Sequence, residues 1–247
     1  MLDLLRTRLR LGQPTLPFPS DAITLPERFR GRPARDCSGC PDGRCPEAEA
    51  IPTALVRGDD LDVGACLFAP EEAVGTPRCG ISFTTDYRLA SRTRDGLLSP
   101  GGEIELATAL ADRMRSLLGR SLRLRSVVAG SCNGCEGELV AGSNVVFDMA
   151  RFGVQFVASP RHADGIVITG TVNANMREAL ERTYAAVPDP RIVIAVGACA
   201  ASGGPFRGSA QAGGGVPATI PVDLWIPGCP PHPLTILDGL LRLLGRL

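Results

Sequence analysis

From residue 121 onward, short apolar runs alternate with helix-length amphipathic segments, and this alternation limits the chain to very few folds. The strand candidates are 124–129, 154–158, 165–169 and 191–196, with a shorter one near 222–226. Between them lie helix candidates at 138–151, 173–187 and 234–244. Strands separated by helices imply right-handed crossovers and a parallel sheet covered on both faces. In open sheets of this kind the functional groups sit just beyond the carboxyl ends of the strands.

Four cysteines fall at such ends. Cys132 and Cys135 follow the first strand in Gly130-Ser131-Cys132-Asn133-Gly134-Cys135-Glu136. A C-x-x-C alone is ambiguous between a redox dithiol, a zinc half-site and half of an iron–sulfur site. Cys199 follows the strand at 191–196, inside Gly197-Ala198-Cys199-Ala200-Ala201-Ser202-Gly203-Gly204, and Cys229 follows the last strand in Pro227-Gly228-Cys229-Pro230-Pro231. Three loops on one edge can therefore gather four thiolates. Glycine lets backbone amides approach such a site, and proline stiffens the loop. An all-cysteine set without a histidine pair suits a 4Fe-4S cluster or zinc. Zinc sites usually pair two short knuckles, and only one exists here, which favours iron–sulfur.

The other five cysteines, Cys37, Cys40, Cys45, Cys66 and Cys79, lie in the N-terminal half. Two-cluster ferredoxins carry C-x2-C-x2-C-x3-C-P twice. Cys37-Ser38-Gly39-Cys40 through Cys45-Pro46 reads as a shortened first run without its third cysteine. Cys66, Ala69, Glu72 and Thr76-Pro77 keep the spacing of the second run with three cysteines replaced. The segment resembles a degenerate ferredoxin domain. Each standard cluster would keep two of four ligands, so the alternatives are one non-standard metal site among Cys37, Cys40, Cys45 and Cys66 or Cys79, or a structural remnant.

The domain plan is then a helix and arm at 1–33, a degenerate ferredoxin-like α+β domain at 34–96, a linking helix at 97–120 and the α/β domain at 121–247. Within 97–120, apolar positions 104, 106, 107, 110, 114, 117 and 118 share one helical face. The helix at residues 2–11 sets leucines among Arg6, Arg8 and Arg10. Such a helix suits a partner subunit, a membrane surface or its own domain.

Composition excludes several classes. The chain has 26 basic and 26 acidic residues, so its formal charge is zero and nothing suggests nucleic-acid binding. No stretch has the roughly 18 apolar residues of a membrane span, and the N-terminus lacks the pattern of a signal peptide. Nine cysteines without an export signal read as ligands or catalytic thiols rather than disulfides.

Taken together, Cys132-Asn133-Gly134-Cys135-Glu136, Arg151-Phe152-Gly153, Pro160-Arg161-His162-Ala163-Asp164, Gly170-Thr171-Val172 and the Cys199 and Cys229 loops carry a family resemblance. In that order they resemble the cluster-carrying small subunit of membrane-associated NiFe hydrogenases, including formate hydrogenlyase and hydrogenase-4. These are homologous to the 20-kDa subunit of respiratory complex I. The complex I subunit typically has adjacent cysteines where this chain has C-x-x-C, which points to the hydrogenase branch.

The resemblance implies a flavodoxin-like α/β fold and one 4Fe-4S cluster on Cys132, Cys135, Cys199 and Cys229. Single electrons would pass between a large subunit and the rest of the complex, without bond-breaking chemistry on this chain. It implies a hydrogenase large subunit or a complex I 49-kDa-like subunit as partner, with membrane subunits and, in the complex I case, a quinone. The place would be peripheral, on the cytoplasmic face of the inner membrane. Residues 1–96 look like the ferredoxin subunit of the same complexes, fused to its neighbour. A complex I-type quinone-reducing subunit, a scaffold with a non-conducting cluster and a thiol oxidoreductase are the competing functions. The last leaves Cys199 and Cys229 unexplained.

Two further residues are candidates. Glu136, beside a ligand, would relay protons or tune the potential, against the simpler role of a carboxylate favouring a helix N-terminus. Arg151 would touch a partner or line a quinone path, against that of a solvated arginine at a helix end. His162 and His232 stand alone. Gly197 to Gly204 reads only weakly as a phosphate cradle, and Gly213-Gly214-Gly215 reads as a flexible loop.

Overall fold

A computed structural model describes residues 2–36, 55–57, 60–70, 74–76, 79–100, 103–118 and 121–247. The larger sheet contains β7 (Leu122–Val128), β8 (Val154–Phe156), β9 (Gly165–Thr169), β10 (Ile192–Val196) and β11 (Leu224–Ile226). Its order is β11-β10-β9-β7-β8, and every pairing is parallel. Numbered along this part of the chain, that is 2-1-3-4-5, the flavodoxin-like order, with the switch point between β7 and β9. The fold class read from the alternation holds. β9 and β10 are buried at every position, as strands covered on both faces must be.

Each face of the sheet has its own core. On one lies α6 (Pro233–Leu243), in which every residue but Arg242 is buried, together with Leu139 of α3 (Gly134–Ala141). On the other lies α4 (Ala174–Ala186), which buries Leu180 against Ile166, Ile168 and Val193. Asn173 starts α4 by accepting a hydrogen bond from the Met176 amide at 3.0 Å, the usual N-cap arrangement.

Two expected helices are shorter in the structure. The helix expected at 138–151 is α3, which begins four residues earlier and stops at Ala141, followed by a 3₁₀ turn at Met149–Phe152. Past Ala141, Asn144 Oδ1 accepts from the Val146 and Phe147 amides at 2.8 and 3.2 Å, and Asp148 takes a positive φ. A side chain that bonds the next amides competes with helix continuation.

The linking helix expected across 97–120 is also corrected. Residues 98–100 form β6 (Leu98–Pro100), 103–111 are non-helical, and only α2 (Asp112–Leu118) is helix. The reason lies in where the amides go. Glu105, Ala107 and Leu110 donate to Gly96, Ala90 and Leu243. Those backbone donors serve distant segments, so the apolar positions pack on the α/β core without forming a helix. Ala90, Ala107, Leu110 and Leu118 all belong to that core.

The N-terminal half begins with α1 (Leu2–Leu11), all of whose residues are exposed. Two small sheets follow. In one, β5 (Cys79–Phe83) lies antiparallel between β1 (Pro33–Asp36) and β4 (Val74–Thr76). In the other, β3 (Asp60–Asp62) lies antiparallel between β2 (Val56–Arg57) and β6. Leu55, Leu61, Cys66 and Ile81 form a third core cluster. Among the described residues no helix is long and apolar enough to cross a membrane.

Candidate metal centre

Three loops at the carboxyl edge of the larger sheet carry the four C-terminal cysteines. Cys132 and Cys135 lie between β7 and the first turn of α3, at the switch point. Cys199 lies in α5 (Ala198–Ser202), which begins directly after Gly197 at the end of β10. Cys229 follows β11 by three residues. The last two loops are tied together, because the Gly197 and Ala198 amides donate to the Ile226 and Gly228 carbonyls at 2.8 Å each.

The glycines measure how closely the sulfurs approach. Gly197 has φ +92°, and a Cβ there would stand 2.5 Å from Cys135 Sγ. A Cβ on Gly204 would stand 2.8 Å from Cys199 Sγ, and one on Gly134 would meet Cys132 Sγ at 3.6 Å and Pro230 at 3.7 Å. Cys135 therefore rests on the Cys199 loop, and the Cys132 loop faces the segment after Cys229. Asn133 makes the turn by adopting φ 72°, a left-handed conformation that asparagine tolerates better than most residues.

Cys135 is buried, Cys199 is half-buried, and Cys132 and Cys229 face outward. Burial pushes the Cys135 thiol far up, and Glu136, Cys199, Cys229 and Cys132 add to the shift. Cys199 is pushed up to about 11 by burial, then by Cys229, Cys132 and Glu136. The neighbouring thiols therefore act electrostatically on both Cys135 and Cys199. A bound cation reverses that balance, because coordination stabilises the thiolate. Among the described residues, no three His, Cys, Asp or Glu side chains converge on a point for one metal ion. The donor set, sulfur only and bordered by glycine, fits an iron–sulfur cluster in kind.

Glu136 sits in the first turn of α3. Its Oε2 accepts from the Ser131 hydroxyl at 2.7 Å, and its Oε1 accepts from the Thr169 hydroxyl. The carboxylate thus joins the Cys132 loop to the end of β9. It also borders a mostly apolar cavity of about 340 Å³ with Leu139, Val140, Ser143 and Phe156. Arg151 Nη2 donates to the Leu16 and Phe18 carbonyls at 2.8 and 2.9 Å, and its guanidinium lies 4.6 Å from the Phe152 ring centre. It holds the N-terminal arm to the α/β unit, a tie the sequence did not disclose.

Of the N-terminal cysteines, Cys37, Cys40 and Cys45 lie outside the described residues. Cys79 opens β5. Cys66 is fully buried among Leu55, Leu61 and Ile81, and its sulfur accepts from the Phe68 amide at 3.3 Å. His232 caps α6 by accepting from the Leu234 amide at 3.2 Å, with Phe29 and Phe147 edge-on.

Residues 132–243 match the family described as NADH ubiquinone oxidoreductase, 20 Kd subunit, a span that contains all four of these cysteines. Over 130 residues the chain is 44% identical to a probable membrane-bound hydrogenase subunit of Pyrococcus furiosus, covering 53% of this chain and 78% of that one. The chain belongs to this family. Formate hydrogenlyase subunit 7 of Escherichia coli is 40% identical over 159 residues, with 64% and 62% of the two chains covered. An NADH-quinone oxidoreductase subunit of Heliobacterium modesticaldum is 46% identical over 114 residues, with 46% and 65% covered. For these last two, the match spans less than two thirds of the relative. The relatives named are all subunits of oxidoreductases. The family match begins at Cys132, so residues 1–131 of this family member lie outside it.

Proposed function

We propose that this chain is the electron-transfer small subunit of a membrane-associated NiFe hydrogenase-like complex of the formate hydrogenlyase or hydrogenase-4 kind. In this reading Cys132, Cys135, Cys199 and Cys229 ligate one 4Fe-4S cluster. The observation that supports it is that three strand-end loops bring these cysteines to one carboxyl edge of a parallel sheet, with Cys135 Sγ against Gly197 of the Cys199 loop and the Cys132 loop against Pro230. When bound, the cluster supplies a one-electron centre whose delocalised charge keeps reorganisation small.

The chain's own residues supply the surroundings. Cys135, beneath the site, excludes water on that side, while Cys132 and Cys229 face outward, where a large subunit would cover them. Gly197 and Gly204 leave room for the sulfurs. Glu136, anchored by Ser131 and Thr169, fixes the loop from which two ligands project. The exposed helix α1, with Arg6, Arg8 and Arg10 among its leucines, faces membrane subunits or the membrane surface in this placement. No bond-breaking step is assigned to this chain.

The hydrogenase branch is preferred over the quinone-reducing one because the ligand pair is C-x-x-C, with Asn133 and Gly134 between the cysteines. The 46% identity to a subunit of an NADH-quinone oxidoreductase keeps the second reading in play. Affinity isolation of the native complex through a tag on this chain separates them. The proposal expects a large-subunit partner that retains four nickel-ligand cysteines, with hydrogen-dependent dye reduction in the isolate. A partner lacking those cysteines, together with quinone-dependent turnover, supports the second reading and contradicts the first.

A further inference from the structure

Residues 60–98 lie outside the family match and hold none of the four proposed ligands, yet they meet the supports of both loops that carry Cys199 and Cys229. Asp62 at the end of β3 is completely buried. The side chain of Arg94, about a quarter exposed, reaches it: Nη2 stands 2.7 Å from Oδ1 and donates to Oδ2 at 2.8 Å. The same guanidinium turns its Nε toward the cluster edge and donates to the Ala201 carbonyl at 2.8 Å. Ala201 is two residues past Cys199, in the same short helix. Gly64 lets the guanidinium lie flat, since a Cβ there would stand 2.8 Å from Cζ and Nη1. The 3₁₀ turn containing Gly64, Val63–Ala65, packs directly on α5.

The second tie is made by the residues just before Arg94. Ser91 forms an antiparallel bridge to Trp225, its amide donating at 3.0 Å and its carbonyl accepting at 2.8 Å. Arg92 Nε donates to the Asp223 carbonyl at 2.7 Å. Both contacts grip β11, the strand that delivers Cys229, and the residue before it. Ser91, Arg92 and Arg94 thus touch the supports of two loops, and the buried carboxylate of Asp62 anchors Arg94 from behind.

We propose that Asp62 and Arg94 are positioning residues for the cluster site. The guanidinium, seated on the buried carboxylate, holds the turn of Cys199 at a fixed distance from the loop of Cys229. The inference rests on the reading of Cys199 and Cys229 as ligands, and it gives residues 60–98 a task that needs no metal of their own. A fork is required because one end of the guanidinium serves Asp62 and the other serves Ala201. A lysine ammonium keeps the charge but loses that two-ended geometry.

The test is Arg94→Lys in the full chain, purified without oxygen. The expected result is a folded protein that loses iron to a chelator several-fold faster than wild type, with an altered EPR line shape. After iron removal, Cys199 is alkylated several-fold faster by iodoacetamide, while Cys135 keeps its wild-type rate. Iron loss, line shape and alkylation all at wild-type values overturn the proposal. If Arg94→Lys fails to fold, the double variant Asp62→Asn, Arg94→Met replaces it, because it removes both charges together. Accelerated iron loss in the folded double variant supports the brace, and wild-type behaviour overturns it. Should the wild-type chain bind no iron, the ligand reading fails, and the alkylation rates alone still decide whether Arg94 holds the Cys199 turn.

Discussion

Gly197 is where backbone conformation and the sulfur site constrain each other most tightly. Its φ of +92° lies in the region that favours glycine, and the space where a Cβ would stand is taken by Cys135 Sγ at 2.5 Å. Gly197→Ala therefore strains the backbone by about 1–3 kcal/mol and pushes the Cys135 sulfur off its position. We expect the variant to keep its far-UV circular dichroism and to hold less than half the wild-type iron per chain. Full iron occupancy would show that the approach of Gly197 to Cys135 does not matter to the site. The cysteines themselves were legible because a thiol after an apolar run stands out against its neighbours. The Arg94–Asp62 pair was not, because the residues lie on separate segments brought together only by the folded chain.

Elements were legible where one local pattern governed them. β9, β10 and α6 appear within a residue or so of their expected ends, since continuous apolar runs leave little choice of burial. Residues 103–111 show the opposite case. Their apolar spacing suits a helix, but their amides are taken by Gly96, Ala90 and Leu243, and tertiary bonding overrides periodicity. A different side chain–backbone tie joins β10 and β11. The Val193 amide donates to Asp223 Oδ2 at 2.9 Å, and the Asp223 amide donates to the Val193 carbonyl at 2.8 Å.

Burial raises the Asp223 carboxyl above its ordinary 3.8, with the Val193 hydrogen bond and the Arg92 charge opposing that rise only in part. The folded state therefore binds this proton more tightly than the unfolded state. The stabilisation it gives is complete below the ordinary value and is lost as pH rises through the raised one. The carboxamide of an Asp223→Asn variant does not titrate. Thermal unfolding followed from about pH 4 to about pH 7 should show wild type losing stability relative to Asp223→Asn. A gap that moves in favour of wild type with rising pH would contradict the assigned shift.

At the scale of the whole molecule, two parts of unequal clarity are joined. The α/β part carries a recognised family pattern from residue 132 to 243, and its parallel sheet could be read from the alternation of segments. The N-terminal part lies outside that match, and the described residues show Cys66 as packed core. Residues 87–118 do not stand apart from the α/β part; they supply Tyr87, Ala90, Ala107, Leu110 and Leu118 to its core and bond β11, α5 and the end of α6. Among the described residues, Ser91, Arg92 and Arg94 bond the supports of the Cys199 and Cys229 loops, with Asp62 behind Arg94, and none of these ties runs through a cysteine.

The proposed function stands or falls with Cys132, Cys135, Cys199 and Cys229 holding one redox-active 4Fe-4S cluster. Low-temperature EPR of the dithionite-reduced chain, purified without oxygen, tests this directly when iron and sulfide are measured on the same sample. About four irons per chain and a single reducible signal are expected, both lost when Cys199 is changed to Ala. Absence of a reducible cluster in the wild-type chain, or an unchanged signal in Cys199→Ala, would contradict it.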